Sequence, residues 1–164
     1  MLKNSMLAAV AITCSIVFVL SAEEPAPAVF TAAQAEAGRA AAMNTCAKCH
    51  TPSLEGRVGN PGENPPLSSL SAEFQKFVSN PARGQNAGKV PPLFGPVFMS
   101  HWEAKTTKEL STSVCGTAGA FFPGTDERTG LAITAYILQL NGAKPGSQEL
   151  SMSTAVEIRS LAAH

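Results

Sequence analysis

Cys46-Ala47-Lys48-Cys49-His50 is the stretch of sequence from which the rest of the chain can be interpreted. Two cysteines three positions apart at the end of a helix project to the same side, and His50 follows the second one directly. A C-x-x-C pair of this kind serves in three types of site: a redox disulfide, half of a zinc site, or the attachment point of a haem. The surroundings of the pair have to decide among the three.

These surroundings favour haem. A redox disulfide belongs beside a βαβ pattern, and no strand pattern adjoins Cys46. A structural zinc site needs four ligands at paired spacing, and the sequence has no second C-x-x-C and no H-x-x-x-H. Cys46 and Cys49 can each form a thioether with one vinyl group, which leaves His50 under the ring centre. The motif predicts one covalent haem c, attached through Cys46 and Cys49, with His50 as the proximal iron ligand.

The second imidazole nitrogen of His50 then needs a partner, and we expect it to donate to a backbone carbonyl. A proline-rich loop commonly supplies such an acceptor. Pro61, Pro65 and Pro66 lie in a suitable stretch directly after the motif. Pro91-Pro92-Leu93 echoes Pro65-Pro66-Leu67, although three residues are too few to argue from.

Residues 1–22 have the features of a secretory signal peptide: Lys3, an apolar run from Leu7 to Leu20, and small residues at the end. The apolar run is shorter than the roughly 20 residues that span a bilayer, which argues against an uncleaved anchor. We therefore expect export to a bacterial periplasm, no transmembrane span after signal removal, and loss of Cys14 with the signal. Cys115 is then left over as a free thiol.

The composition points to short helices joined by long loops. The chain has 13 glycines and 12 prolines but few strand-like runs, so we expect an all-α fold wrapped around one haem. Its 12 basic and 12 acidic residues balance, so the composition does not indicate the excess positive charge of a nucleic-acid-binding protein. The expected organisation is a linker over 23–30, one domain over 31–142 and a poorly anchored tail over 143–164 that holds at most one short helix.

Helix signals recur along the domain. Thr31 with Gln34 forms a capping-box pattern that predicts a first helix to about Cys46, and Thr106 with Glu109 predicts another to about Val114. The last helix should begin near Thr125, end before Gly142 and be buried on much of its surface. A short helix is expected from Leu70, Phe74, Phe77 and Val78, ended by Pro81, with loops over 51–66 and 79–96.

With these features the chain resembles the single-haem class I cytochromes c over residues 36–142. In that family a glycine eight residues before the first haem cysteine lets an N-terminal helix cross a C-terminal helix that carries an aromatic residue. Gly38 and Tyr136 occupy those positions here. Ala42 stands where the family often has an aromatic residue, which implies a looser or repacked crossing.

The downstream part is similar to cytochrome subunits that serve membrane-associated alcohol and sugar dehydrogenases. The matching stretches are Pro91–Phe98 with Trp102, and Ala135–Gly142. The resemblance implies a cytochrome c domain over 31–142, in which 51–90 is longer than usual and looks like an extended loop insertion.

One departure concerns the sixth iron position. The family places a distal methionine before a Pro-Gly turn, and that position falls on Ala118. The sixth position is therefore expected to be open, to hold water, or to be taken by Met99, His101 or Cys115. Met43 lies on the proximal helix, and Met152 and His164 lie on the tail, so we rank these three lower.

The aromatic residues downstream have two interpretations. In a functional role, Trp102 would donate its indole N–H towards a haem propionate or hold the pocket wall; the alternative is packing in the core. Core packing is the expectation for the phenylalanines Phe94, Phe98, Phe121 and Phe122, which would still exclude water from a haem.

These features together predict a periplasmic electron carrier that transforms no substrate and has no catalytic residues. Its partners would be redox proteins: a dehydrogenase, another cytochrome or an oxidase. A haem-based small-ligand sensor or weak peroxidase, with His101 as the acid–base residue, is the alternative if the sixth position is open. A third possibility is a structural subunit that relays electrons inside a permanent complex.

Overall fold

The computed structural model describes residues 26–56, 72, 75–76, 79–82 and 89–161. Within these residues the protein is helical and contains isolated bridges but no strand, so the all-α expectation is confirmed. The helices are α1 (Ala32–Asn44), α2 (Ala47–His50), α3 (Gly95–Trp102), α4 (Thr107–Phe121) and α5 (Glu127–Leu140), with a 3₁₀ helix at Ile158–Leu161. No helix in this described part of the chain is both long and apolar enough to cross a membrane.

Helices α1 and α5 cross at Gly38. A Cβ atom on Gly38 would collide with the backbone of Ala132 and Ile133, so only glycine allows this approach. The close crossing expected at Gly38 is confirmed. Ala42, one turn further along α1, is fully buried.

Helix α5 is the most buried element. Asp126 is its N-cap, and its side chain accepts a 2.8 Å hydrogen bond from the Thr129 N–H. A helix that packs against one neighbour buries a single stripe of side chains, yet residues 130–135, 137 and 138 are all buried. The expected burial of this helix on much of its surface is confirmed, and it ends at Leu140 before Gly142 as predicted.

Helix α4 begins as predicted but ends later. The Thr106 hydroxyl accepts from the Glu109 N–H, and the Glu109 carboxylate accepts from the Thr106 N–H, which closes the capping box. The predicted end near Val114 is wrong, because the helix continues to Phe121, two residues before Pro123. Gly116 and Gly119 lie in this additional part of the helix, which tolerates single glycines at a modest cost in stability.

Helix α1 also starts at its predicted cap, with Thr31 accepting from the Gln34 N–H at 3.1 Å. The Gln34 side chain does not complete a capping box, contrary to our expectation. Its amide instead donates to the Leu150 carbonyl at 2.9 Å and accepts from the Leu150 N–H at 2.8 Å. The N-terminal turn of α1 is thereby joined to the C-terminal tail.

The tail is anchored along its length, so the expectation of a poorly anchored tail is wrong. Gly146 N–H donates to the Phe30 carbonyl at 2.7 Å, and Phe30 itself is fully buried at the end of the predicted linker. Further along, the buried Thr107 hydroxyl donates to Thr154 and accepts from the Val156 N–H. The tail side chains in the core are those of Ala143, Leu150, Ile158 and Leu161.

Two predictions concern residues outside this description. The signal peptide over 1–22 lies entirely outside the described residues. Of the short helix expected over 70–78, Ala72, Gln75 and Lys76 are described and are helical, and the remainder lies outside.

Candidate functional site

Cys46, Cys49 and His50 all line one cavity of about 250 Å³. The cavity lies between the motif, the segment 89–93, and helices α3, α4 and α5, each of which contributes side chains to its walls. The three residues singled out in the sequence are therefore brought together at a single site.

A tight helical turn sets their orientation. Cys46 is the N-cap of α2, and its carbonyl accepts from the N–H groups of Cys49 and His50 at 3.0 and 2.8 Å. Burial raises the pKa of the Cys46 thiol, with the nearby Thr45 hydroxyl opposing the shift more weakly, so the thiol is neutral. No disulfide joins the described cysteines.

His50 is held by a backbone carbonyl. Its Nδ1 lies 2.7 Å from the carbonyl oxygen of Pro91. Burial lowers the pKa of His50, and the bond to Pro91 opposes that shift, so the ring is neutral near pH 7. A neutral ring that donates through Nδ1 carries a lone pair on Nε2, which is the atom able to bind a metal.

The acceptor is of the predicted type but in a different loop. A backbone carbonyl in a proline-rich segment accepts the hydrogen bond from His50, as expected, but this carbonyl belongs to Pro91. Pro61, Pro65 and Pro66 lie outside the described residues. The repeat of Pro65-Pro66-Leu67 as Pro91-Pro92-Leu93 is the feature of the sequence that could have pointed to Pro91 as the acceptor.

Gly56 allows the segment that contains Pro91 to pack close to His50. The Gly56 N–H donates to the His50 carbonyl at 2.9 Å, and its φ of 76° is one that favours glycine. A Cβ atom there would collide with the backbone of Val90 and Pro91. The Leu93 N–H donates to the Leu54 carbonyl at 2.9 Å, so the chain returns beside the residues that follow the motif.

Asn141 fixes the far end of the same segment. Its side-chain oxygen accepts from the Gly95 N–H at 3.0 Å, and its amide donates to the carbonyls of Leu93 and Ile137 at 3.1 and 2.8 Å. The 93–95 segment is thereby tied to the end of α5. Sequence reasoning placed Asn141 only inside a matching stretch and assigned it no role.

The remaining walls are mostly apolar. Phe98 is 3% exposed and stacks on Trp102 with ring centroids 6.1 Å apart, and both line the cavity. Trp102 lines the cavity, as the pocket-wall interpretation predicts, and it also packs against the hydrophobic core; a hydrogen bond from its indole to a haem propionate stays a prediction. Phe121 and Phe122 also line the cavity, together with Leu110, Val114 and Ala118 from α4 and Ile137 from α5.

The three candidates for a sixth iron ligand do not line this cavity. The Cys115 sulfur packs against Gly130 and lies 3.9 Å from the Glu127 carbonyl, on the α5 side of α4. His101 is exposed, with its Nε2 3.0 Å from the Lys105 ammonium, and Met99 packs against the hydrophobic core. Ala118, the position of the family's methionine, is buried and does line the cavity.

The described residues contain no group of three or more His, Cys, Asp or Glu side chains placed to hold a metal ion by themselves. Comparison with protein-family models, with curated proteins and with solved structures finds no match to this chain. The functional argument therefore rests on the motif and on the geometry around it.

Proposed function

We propose that the protein is a periplasmic electron-transfer protein that carries one haem c bound through Cys46 and Cys49, with His50 as the proximal iron ligand. The observation that carries the proposal is the convergence of these three residues on one cavity, with His50 oriented by the Pro91 carbonyl. A class I cytochrome c fold is part of the same proposal. The α1–α5 crossing at Gly38 supports it.

The residues at the site fit this group chemically. Two thiols and a neutral imidazole are the donors that covalent haem attachment requires, and all three are available on one wall. When bound, the haem would supply a one-electron couple between ferrous and ferric iron. Apolar side chains such as Phe98, Trp102 and Leu110 would exclude water from it and so help to set its potential.

The partners we propose are redox proteins: a dehydrogenase, another cytochrome or an oxidase. Peroxidase chemistry is less well supported, because His101, the acid–base candidate, contacts Lys105 and Trp102 and does not line the cavity. A permanent subunit of a larger complex would differ from a mobile carrier in copurifying with its partner at fixed stoichiometry.

Covalent attachment is tested by haem staining of denaturing gels after export in a host that matures c-type cytochromes. We expect the unmodified chain to retain haem and the Cys46→Ala/Cys49→Ala double variant to lose it. Cys115→Ala is the matched control and should retain haem, because Cys115 does not line the cavity. Haem retained on a denaturing gel by the double variant would overturn the proposal.

Electron transfer is tested separately by protein-film voltammetry on the matured protein. We expect one reversible one-electron wave. A haem protein that shows no reversible wave, yet turns over a substrate, would overturn the carrier function and leave the attachment chemistry standing.

A further inference from the structure

The residues that line the cavity differ in their ability to bind a metal. His50 contacts the segment that contains Pro91, since the Pro91 carbonyl accepts the hydrogen bond from the His50 Nδ1. Helix α4 contributes Leu110, Val114 and Ala118 to the walls, with the hydroxyl residues Ser113 and Thr117 beside them. None of these α4 side chains is an ordinary iron ligand, since those are imidazole, thiolate, thioether and phenolate groups.

Within the described residues, the other side chains able to bind iron make their contacts outside the cavity. Cys115 packs against Gly130, His101 contacts Lys105, and Met99 packs against the core. Tyr136 is on α5 and, like Met43 on α1, packs at the core without lining the cavity. Met152 is on the anchored tail, between Leu150, which bonds to Gln34, and Thr154, which bonds to Thr107.

Three further sources of a ligand are the sequence from 57 to 88, Lys89 and His164. The sequence from 57 to 88 contains no Met, His, Cys or Tyr, so it offers none of the usual iron ligands. Lys89 lines the cavity, but lysine is not one of the usual iron ligands. His164 lies outside the described residues, three positions after the core residue Leu161.

We infer that, of the described side chains, His50 alone would bind the iron of the proposed haem, so that a small external ligand would bind the iron as well. The ligand class is neutral diatomic molecules such as carbon monoxide on ferrous iron, and small anions such as cyanide on ferric iron. The hydroxyls of Ser113 and Thr117 are the groups placed to donate a hydrogen bond to a bound anion. This inference rests on the proposed haem and specifies what the cavity binds besides it.

The test uses the visible spectrum of the matured protein, reduced with dithionite and then exposed to carbon monoxide, and the ferric protein titrated with cyanide. We expect a high-spin ferrous spectrum whose Soret band shifts on addition of carbon monoxide. A low-spin ferrous spectrum that carbon monoxide does not change would overturn the inference, because a side chain would then hold the sixth position.

Ala118→Met supplies a ligand from the α4 side, because Ala118 is buried and lines the cavity. We expect this variant to lose the carbon monoxide shift and become low-spin. Gly119→Met is the matched control: it adds the same side chain one position along, where a Cβ atom meets nothing within 4 Å, and it should bind carbon monoxide like the unmodified protein. Unchanged carbon monoxide binding in folded Ala118→Met protein would contradict binding of the external ligand beside Ala118.

Failure of the inference is distinguishable from failure of the proposed function. Absence of haem on a denaturing gel contradicts the proposed function itself. Covalent haem with a spectrum insensitive to carbon monoxide contradicts only the present inference, and the unmodified protein alone is enough to show it.

Discussion

The α1–α5 crossing and the cavity are built in opposite ways. At the crossing, backbone lies directly on backbone, and Gly38 leaves no space for even one additional carbon atom. At the cavity, walls from five parts of the chain stand apart and are held in place by a few hydrogen bonds, notably those of Pro91 and Asn141. The difference teaches that the closest backbone packing is concentrated away from the site, so side chains at the site can change without disturbing the crossing.

The largest effect should come from breaking the crossing. Gly38→Val places a branched side chain against the Ala132 carbonyl, which neither backbone can avoid. We expect a loss of on the order of 4 kcal/mol or more in the free energy of unfolding, measured by thermal or denaturant unfolding followed by circular dichroism.

Gly116→Ala is the control for that experiment. Gly116 lies in helix α4, and a Cβ atom there meets nothing within 4 Å. The substitution should stabilise the protein by about 0.5–1 kcal/mol, because alanine loses less conformational freedom in a helix. A Gly38→Val variant as stable as Gly116→Ala would show that the crossing is not closely packed.

A smaller effect is expected from releasing the cavity segment. Asn141→Ala removes the bond from Gly95 and the bonds to Leu93 and Ile137. At about 1 kcal/mol for each hydrogen bond, a loss of roughly 2–3 kcal/mol in unfolding free energy is expected. Asn44→Ala, which removes one exposed bond to Ala40, should have much less effect. Equal losses in the two variants would contradict a clamping role for Asn141.

The contrast between crossing and cavity also separates what could be predicted from what could not. The motif Cys46–His50 and the caps at Thr31 and Thr106 are local patterns, whose physical requirements are visible within a few residues. The Gly38 contact with Ala132 joins distant residues and was predicted only through the family resemblance. The Pro91 acceptor is 41 positions from His50, and the Leu150 partner of Gln34 is 116 positions away. Such partners are backbone groups, which every residue carries, so no side-chain pattern marks them in advance.

The prediction that α4 ends near Val114 is wrong for a related reason. Glycine and small polar residues over 115–119 favour a loop by intrinsic propensity. Packing of Leu110, Ser111 and Ala118, all buried, outweighs that preference and keeps the segment helical. Because the helix continues, Ala118 lies on a rigid wall of the cavity, and Cys115 is directed towards Gly130.

Detaching the tail should be a milder change again. Gln34→Ala removes both hydrogen bonds to Leu150, for an expected loss of about 1–2 kcal/mol, and should increase amide exchange at Leu150 and Gly146. Gln139→Ala, at an exposed position of α5, is the matched control. Unchanged exchange at Leu150 in the Gln34 variant would mean that other contacts anchor the tail.

The smallest effect concerns the capping box of α4. Hydrogen bonds from the Thr106 N–H and hydroxyl hold the pKa of Glu109 below its ordinary value of 4.5. A carboxyl whose pKa is lowered by folding stabilises the protein above the unfolded pKa and loses that contribution as the pH falls through the lowered value. Unfolding free energy should therefore decline below about pH 4.5, and Glu109→Gln should reduce the slope. A slope in Glu109→Gln equal to that of the unmodified protein would contradict this role of the Glu109 carboxylate.

The contact between Gly56 and Pro91 has a consequence for the evolution of this chain. The chain leaves His50's neighbourhood at Gly56 and comes back to it at Val90, with Leu54 and Leu93 hydrogen-bonded to each other. When two ends of a segment already meet, doubling the length between them adds only about 0.6 kcal/mol of closure entropy. Changes in the length of sequence between these two residues should therefore cost little and leave the orientation of the His50 ring as it is.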